Sequence, residues 1–206
     1  MYLGLKKNSS RRADWGVFEL KTTTLGQNSK ISLFNITVRY QNQYSARDLV
    51  CEFGKVHHSK HLNKPVIRLD WEISHSKFPI DSLYYNISPE EGPLTLNYGE
   101  RTIAYTDRNK LEKWFRRKFK NLVLIFVDSL IEKNNHGFII KKAFLLETTS
   151  FSNFLRLMHE GEIKLSFKMM LVLPNTVNET LKNRGIGFKT TYKTLTKLYG
   201  SKKNLI

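Results

Sequence analysis

The chain has 206 residues, 40% of them hydrophobic and 25% charged, which excludes an intrinsically disordered chain and is enough for the core of one sizeable domain. Lys and Arg number 34 against 18 Asp and Glu, so the net charge is +16 at pH 7. A globular protein this basic usually binds a polyanion, most often nucleic acid, because neutralised phosphates release their counterions; a ribosomal or merely solvated lysine-rich surface is the alternative.

Hydrophobic periodicity predicts strands and helices along most of the chain. In chain order these are strands at 17–22 and 31–40, a helix from the cap Ser45 to Gly54, a strand at 66–74, a helix at 108–120, strands at 122–127 and 137–146, a helix from Ser150 or Ser152 to Glu160, strands at 162–169 and 185–192, and a short helix at 195–199. Between residues 56 and 99 the pattern is weak. The mixture predicts an α/β fold, with helices packed around a mixed sheet.

The sequence also indicates a cytoplasmic protein with no membrane partner. No hydrophobic stretch reaches the length of a transmembrane helix, and residues 1–12 lack the apolar core of a signal peptide. Cys51 is the single cysteine, which excludes an internal disulfide and suits a reducing compartment. Its place in the helical stretch SARDLVCEFG predicts a buried, inert thiol.

The stretch ADWGVFELKT, residues 13–22, carries three charged side chains in an apolar and aromatic setting. Glu19 and Lys21 share one face of the predicted strand, and Gly16 permits a bend that brings Asp14 towards them. Two neighbouring carboxylates attract a hard cation such as Mg²⁺, and a nearby lysine can stabilise the transition state of phosphodiester hydrolysis. The alternative is a strand end with a solvated Glu19–Lys21 pair.

Two separated motifs resemble the MvaI/BcnI type of restriction endonuclease, a relative of the mismatch-repair nickase MutH within the PD-(D/E)xK nuclease fold. The first is KKNSSRRADWGVFELKTT, which is similar to the active-site segment of that family. The second is SFSNFLRLMHEGEIKLSFKMM followed by NRGIGFK, which is similar to a late helix, strand and Gly-x-Gly-Phe-Arg/Lys signature. Together with SLFN and RDLVCEFG, the resemblance spans most of residues 4–200.

The resemblance implies a type II site-specific deoxyribonuclease with a PD-(D/E)xK core and two lobes that enclose double-stranded DNA in a cleft. Asp14 and Glu19 would bind Mg²⁺, for which Mn²⁺ can substitute, and Lys21 would be the catalytic lysine. We expect residues 1–206 to form a single endonuclease domain, whose catalytic lobe contains 13–55 and whose recognition elements include 174–200. The enzyme would act as a monomer, cut one strand per binding event and be encoded beside a cognate DNA methyltransferase.

Two basic segments supply the candidate DNA-binding residues. NRGIGFK corresponds to a base-contacting segment of the family, which makes Arg184 the leading base-contacting candidate, with a phosphate contact or a surface arginine as alternatives. The other candidates in and beside that segment are Lys182, Asn183 and Lys189, of which Lys189 is expected to contact a phosphate. Arg116 and Arg117, on the basic face of the helix at 108–120, would attract phosphates electrostatically, unless that face is merely solvated.

One departure from the family leaves other functions open. MutH-like enzymes have a helix with a further acidic residue ahead of the metal motif, and only thirteen residues precede Asp14 here. We expect either an upstream start or a shortened active site. The alternatives are therefore a MutH-like repair nickase and a catalytically impaired DNA-binding relative.

Two other groups resemble metal sites but are predicted to have simpler roles. His57, His58 and His61 are expected in a DNA-contacting or solvated loop, because no cysteine or carboxylate cluster completes a zinc site. Asp70 and Glu72 are interpreted as one polar face of a strand.

Overall fold

The computed structural model of the protein describes residues 18–24, 30–78, 80–88, 92–119, 121–132, 135–173 and 180–206. These residues form, in chain order, β1 (Phe18–Thr24), β2 (Lys30–Ile36), β3 (Arg39–Tyr40), α1 (Ala46–Phe53), β4 (Lys55–Ser59), β5 (Lys64–Leu69), β6 (Glu72–Ile73), β7 (Leu83–Asn86), β8 (Leu94–Tyr98), β9 (Arg101–Thr106), α2 (Arg108–Lys118), β10 (Asn121–Glu132), β11 (Asn135–Thr149), α3 (Phe151–His159), β12 (Lys164–Val172), β13 (Thr180–Thr191), α4 (Tyr192–Leu198) and β14 (Tyr199–Asn204). The predicted mixed α/β class is confirmed.

The chain divides into two compact units. Unit 1 consists of the described parts of Met1–Ser32, Asn109–Leu157 and Thr190–Ile206, and unit 2 of the described parts of Leu33–Arg108 and Met158–Lys189. The division falls between Ser32 and Leu33, inside the stretch 13–55 that is expected in the catalytic lobe, and that assignment stays a prediction. That residues 1–206 act as one endonuclease domain stays a prediction.

Unit 1 contains a four-stranded sheet in the order β1-β10-β11-β14. β1 runs parallel to β10, whereas β10–β11 and β11–β14 are antiparallel pairs. The apolar run predicted as a buried strand is the first half of β10, where Leu122 and Leu124 are fully buried. β10 has a neighbouring strand on each side, whereas β1 is the first strand in the order of the described strands.

The core of unit 1 is aromatic and lies beside α2. The Phe115 ring is 5.1 Å from the rings of Phe119 and Phe154 and 5.6 Å from that of Phe151, measured between centroids. Leu111 and Trp114 are buried on the same side of α2, as the helical period predicts. This packing fixes the position of α2 and of its C-terminal residue.

Unit 2 contains two sheets and α1. One sheet has the order β2-β13-β12-β5-β4, with β6 also paired to β12, and the other has the order β3-β9-β8-β7. The predicted N-cap of α1 is confirmed, since Ser45 accepts from the backbone N–H of Asp48 and the Asp48 carboxylate accepts from the backbone of Ser45.

Several local predictions were wrong. The strand predicted at 31–40 is two strands, because β2 ends at Ile36 and β3 pairs with β9 in the other sheet. His57 and His58 lie on β4 rather than in a loop, since a turn that includes Asn63, with φ at 48°, folds β4 back on β5. Cys51 is exposed, not buried, because it lies on the outer side of α1.

In the part of the chain that the structure describes, no helix is long and apolar enough to span a membrane.

Candidate active site

Strand β1 brings Glu19 and Lys21 together, as the strand period requires. They pair in register with Leu122 and Leu124 of β10, so both side chains project from the same face of the sheet. Lys21 Nζ donates a hydrogen bond of 2.7 Å to Glu19 Oε1. The carboxylate of Glu19 is buried, with 2% of its side chain exposed, whereas 22% of the Lys21 side chain is exposed.

A second lysine contacts the same carboxylate from a distant part of the sequence. Lys118, the last residue of α2, donates from Nζ to Glu19 Oε2 over 3.1 Å. Its side chain is 18% exposed. Each oxygen of the buried carboxylate is therefore bound by one ammonium group, and the alternative of a simply solvated Glu19–Lys21 pair is wrong.

Among the described residues, two lysine ammonium groups contact the one buried carboxylate of Glu19, so this cluster carries more positive than negative charge. A buried carboxylate is costly unless it is paired and hydrogen-bonded, and here two cations face one anion. The buried phenol of Tyr199 is close enough for Glu19 to raise its pKa, although burial is the larger cause of that increase. The net positive charge suits a phosphate group at the exposed side of the two lysines.

Glu19 also matches one requirement of a Mg²⁺ site. Carboxylate oxygens are the hard donors that Mg²⁺ prefers, and Glu19 holds such a group at a fixed position. Asp14, the second predicted ligand, lies outside the described residues. Among the residues that the structure describes, no cluster of three His, Cys, Asp or Glu side chains is present. Glu19 thus fits the role of a metal ligand but needs a partner such as Asp14.

The predicted recognition segment lies on β13 in unit 2. Lys182 and Asn183 are exposed, and Asn183 Oδ1 accepts a 2.7 Å hydrogen bond from the backbone N–H of Gly185. Gly185 has a φ of 87°, which explains why glycine occupies that position. The backbone of Arg184 belongs to β13, whereas its side chain lies outside what the structure describes.

Three further predicted DNA-binding residues have different surroundings. Lys189 Nζ lies 2.9 Å from Glu72 Oε1 in a largely buried ion pair, so this lysine has an internal partner. Arg116 pairs with Glu112, with 2.6 Å between Nη2 and Oε1, and remains exposed, as does Arg117. Of the predicted site residues, the structure brings Glu19 and Lys21 together.

Sequence reasoning missed Lys118, although the sequence contains a signal for it. Lys118 is four residues after Trp114 and seven after Leu111, which places it on the apolar stripe of α2 rather than on its basic outer face. A cation on an apolar stripe indicates a buried anionic partner. The identity of that partner required the structure, because Glu19 is 99 residues away in sequence.

Two solved structures of a restriction endonuclease are similar in fold to this chain. A complex of the restriction endonuclease MvaI with its cognate DNA substrate matches with a TM-score of 0.74 and 19% identity, over 98% of this chain and 83% of that one. MvaI in the absence of DNA matches with a TM-score of 0.58 and 17% identity, over 91% of this chain and 79% of that one. Among curated protein sequences, no significant relative is found.

The fold of the chain is therefore similar to that of a restriction endonuclease. The family model of the MvaI/BcnI restriction endonucleases matches residues 1–199, which is nearly the whole chain. This chain belongs to the MvaI/BcnI restriction endonuclease family.

Proposed function

We propose that this protein is a Mg²⁺-dependent type II restriction endonuclease that hydrolyses phosphodiester bonds of duplex DNA at a short specific site, one strand at a time. The observation that carries the proposal is the buried Glu19 carboxylate, held by Lys21 and Lys118 at an end strand of the unit 1 sheet. The MvaI–DNA complex among structures of the same fold supports duplex DNA as the substrate.

In this function Lys21 is the residue that contacts the reacting phosphate. Its ammonium is fixed by Glu19 but remains partly exposed, so it can hydrogen-bond a phosphate oxygen. There it stabilises the negative charge that develops in the transition state and orients the attacking water. Lys118 is a positioning residue, because its contact with Oε2 fixes the rotation of the carboxylate.

Asp14 and Glu19 are the residues that would hold Mg²⁺, or Mn²⁺ in its place. When bound, the ion polarises a phosphate oxygen and lowers the pKa of a coordinated water. The protein contributes an ionised carboxylate of fixed orientation and a lysine beside it. Each carboxylate oxygen of Glu19 has a second lone pair besides the one that accepts from its lysine, and this lone pair is the donor that a metal would use.

The remaining parts of the function rest on the family. Arg184 is proposed to contact bases and Lys182 and Asn183 to contact DNA beside it, while Arg116 and Arg117 attract phosphates. Action as a monomer and a companion methyltransferase are likewise proposed from the family.

Cleavage of supercoiled plasmid tests the proposal directly. With Mg²⁺, wild-type protein is expected to produce open-circular plasmid before linear plasmid, as nicking requires. Lys21→Met, Glu19→Gln and Asp14→Asn are each expected to slow the reaction at least about 100-fold, the scale of losing one group that stabilises the transition state. Duplex affinity without a divalent ion should change little, since none of these groups is proposed to dominate DNA binding.

The outcomes separate the candidate functions. Mg²⁺-dependent cleavage by Lys21→Met at the wild-type rate would show that the catalytic assignment is wrong. Wild-type protein that binds duplex DNA but never nicks it with Mg²⁺ or Mn²⁺ would instead identify a DNA-binding relative without catalysis. Nicks confined to one strand of hemimethylated duplexes would favour a MutH-like nickase.

A further inference from the structure

The six-stranded sheet of unit 2 carries a row of cations across four neighbouring strands. Arg68 on β5 is directly opposite Lys55 on β4 and Met170 on β12, and Met170 is directly opposite Lys182 on β13. Residues that pair directly in antiparallel strands project from the same face of a sheet. Lys55, Arg68 and Lys182 therefore lie on one face, with Met170 between two of them.

The same face continues one position along β12. Lys168 precedes Met170 by two residues and is exposed, whereas Phe167 and Met169 on the other face are buried. A cavity of about 250 Å³ opens between these strands. Its lining consists of Arg68, Leu69, Asp70, Lys168, Met169, Met170 and Lys182.

Little negative charge balances this surface. Asp70 is the acid that lines the cavity, and its carboxylate lies 3.2 Å from Arg68 with both side chains about half exposed. An exposed pair of this kind is weak and readily exchanged for another partner. Within the described residues, Lys55, Lys168 and Lys182 have no ion-pair partner.

We infer that this cationic sheet face, formed by Lys55, Arg68, Lys168 and Lys182, binds the sugar-phosphate backbone of duplex DNA. The inference rests on the proposed function and extends it to three residues, Lys55, Arg68 and Lys168, outside the recognition segment of β13. Three strand spacings of about 4.8 Å separate β4 from β13, so the row is about 14 Å long. This length is comparable to the width of the major groove, about 12 Å, so the cations at its ends can contact phosphates of both strands.

The test is the salt dependence of DNA binding by the full chain. Fluorescent 30-base-pair duplexes of two unrelated sequences are titrated without divalent ions at several salt concentrations, for wild type and for the triple variant Lys55→Gln, Arg68→Gln and Lys168→Gln. Each lost phosphate contact reduces the slope of log K against log salt by about 0.9. For the triple variant, we expect the magnitude of this slope to fall by about 2 to 3, equally on both duplexes. We also expect its affinity for DNA to be at least tenfold lower than that of wild type at ~0.1 M salt.

A charge-matched control separates this surface from net charge. The control is a second triple variant, which also removes three exposed cations but none from the cationic sheet face. Its substitutions are Lys77→Gln, Lys142→Gln and Lys193→Gln. For this control, we expect the slope of log K against log salt to remain close to that of wild type. Equal slopes for the two triple variants would overturn the inference and leave the proposed function intact, provided that wild type cleaves plasmid. A wild-type protein that binds neither duplex would overturn both.

Asp70 provides a variant with the opposite expected sign. Asp70→Asn removes the acid beside Arg68, so it is expected to tighten duplex binding several-fold at low salt. A general structural defect would weaken binding, whereas removal of a repelling charge from a DNA-binding surface strengthens it. Unchanged or weaker binding by a folded Asp70→Asn variant would contradict the inference.

Discussion

Two lysines from different elements compensate the buried carboxylate of Glu19 inside unit 1. A single ammonium would leave one carboxylate oxygen without a partner, and an unpaired buried charge costs several kcal/mol. Lys21 satisfies one oxygen from the same strand, and Lys118 satisfies the other from the end of α2. The arrangement holds the carboxylate in one orientation, which a metal ligand needs.

The contact of Lys118 predicts a specific effect on metal use. We expect Lys118→Ala to lower the rate of plasmid nicking at least tenfold, because a loss of about 1.4 kcal/mol in the transition state has that effect. The Mg²⁺ concentration for half-maximal rate should also change, since the orientation of Glu19 is no longer fixed. Titration of the nicking rate with Mg²⁺ measures both quantities.

Two control variants accompany this prediction: one keeps a positive charge at position 118, and the other removes a lysine elsewhere in unit 1. Lys118→Arg keeps a cation within reach of Oε2 and should restore most of the rate, whereas Lys142→Ala, at an exposed position of β11, should leave both quantities unchanged. A Lys118→Ala variant with a reduced rate but the wild-type Mg²⁺ dependence would show that the ion pair is only structural.

At the scale of elements, the burial of β10 decides where the candidate site lies. The apolar run of β10 predicted an interior strand, and the structure places β1 parallel to it on one side and β11 antiparallel on the other. In β1, Glu19 and Thr23 are buried on the face that also carries Lys21, whereas Leu20 on the opposite face is only partly buried, so the charged pair lies on the packed face of the strand. That β1 pairs with β10 was not predictable from local periodicity, because some hundred residues separate the two strands.

Gly54 lies between α1 and β4, where a larger residue would not fit. The reason for glycine here is this lack of space and not a left-handed backbone. Gly54 has a φ of −77°, which any residue adopts. A Cβ there would overlap the carbonyl oxygen of Val50 and lie 2.6 Å from Cγ2 of Ile67. The close approach lets α1 end directly against β5.

Gly54→Ala is therefore expected to lower the free energy of unfolding by about 2 to 3 kcal/mol, the range of overpacked sites, because backbone atoms would have to shift. Urea denaturation followed by circular dichroism measures the change. Cys51→Ala, an exposed substitution in the same helix, should stay within about 0.5 kcal/mol of wild type. If the two variants are equally stable, the helix and strand are not packed as closely as the structure indicates.

At the scale of the whole molecule, each unit is assembled from separated parts of the chain. Unit 1 includes α4 and β14 from the end of the chain, where Leu195, Leu198 and Tyr199 are buried. Burial of side chains of this size contributes about 2 kcal/mol each. The sum, about 6 kcal/mol, is comparable to the total stability of a typical domain.

A fragment of residues 1–189 is therefore expected to lose the cooperative unfolding of unit 1. Trp114, buried on α2, is the only emitting tryptophan if both Trp15 and Trp71 are replaced by Phe, and it then reports on unit 1. Its emission should already be red-shifted without denaturant in the fragment. A fragment of residues 1–204, which lacks only the exposed Leu205 and Ile206, should unfold almost as the full chain does. A native-like urea transition in the 1–189 fragment would contradict this prediction.

The sequence by itself determined the features that depend on near neighbours. Strand parity placed Glu19 and Lys21 on one face, the apolar run predicted the interior strand β10, and Ser45 predicted the start of α1. Net charge predicted an anionic partner, and two motifs indicated the family. The predictions of the strand faces, of the interior strand and of the helix start succeeded because strand and helix periods, as well as caps, act over a few residues, whereas the anionic partner stays a prediction.

Only the tertiary structure decided which distant residues meet. It selected Lys118 from several basic residues of α2 as the partner of Glu19, paired Lys189 with Glu72, and aligned Lys55, Arg68 and Lys182 across separate strands. The local sequence does not distinguish a lysine that faces solvent from a lysine that faces a buried carboxylate. The choice depends on how strands are paired and helices are packed, which are set by long-range contacts of the whole core.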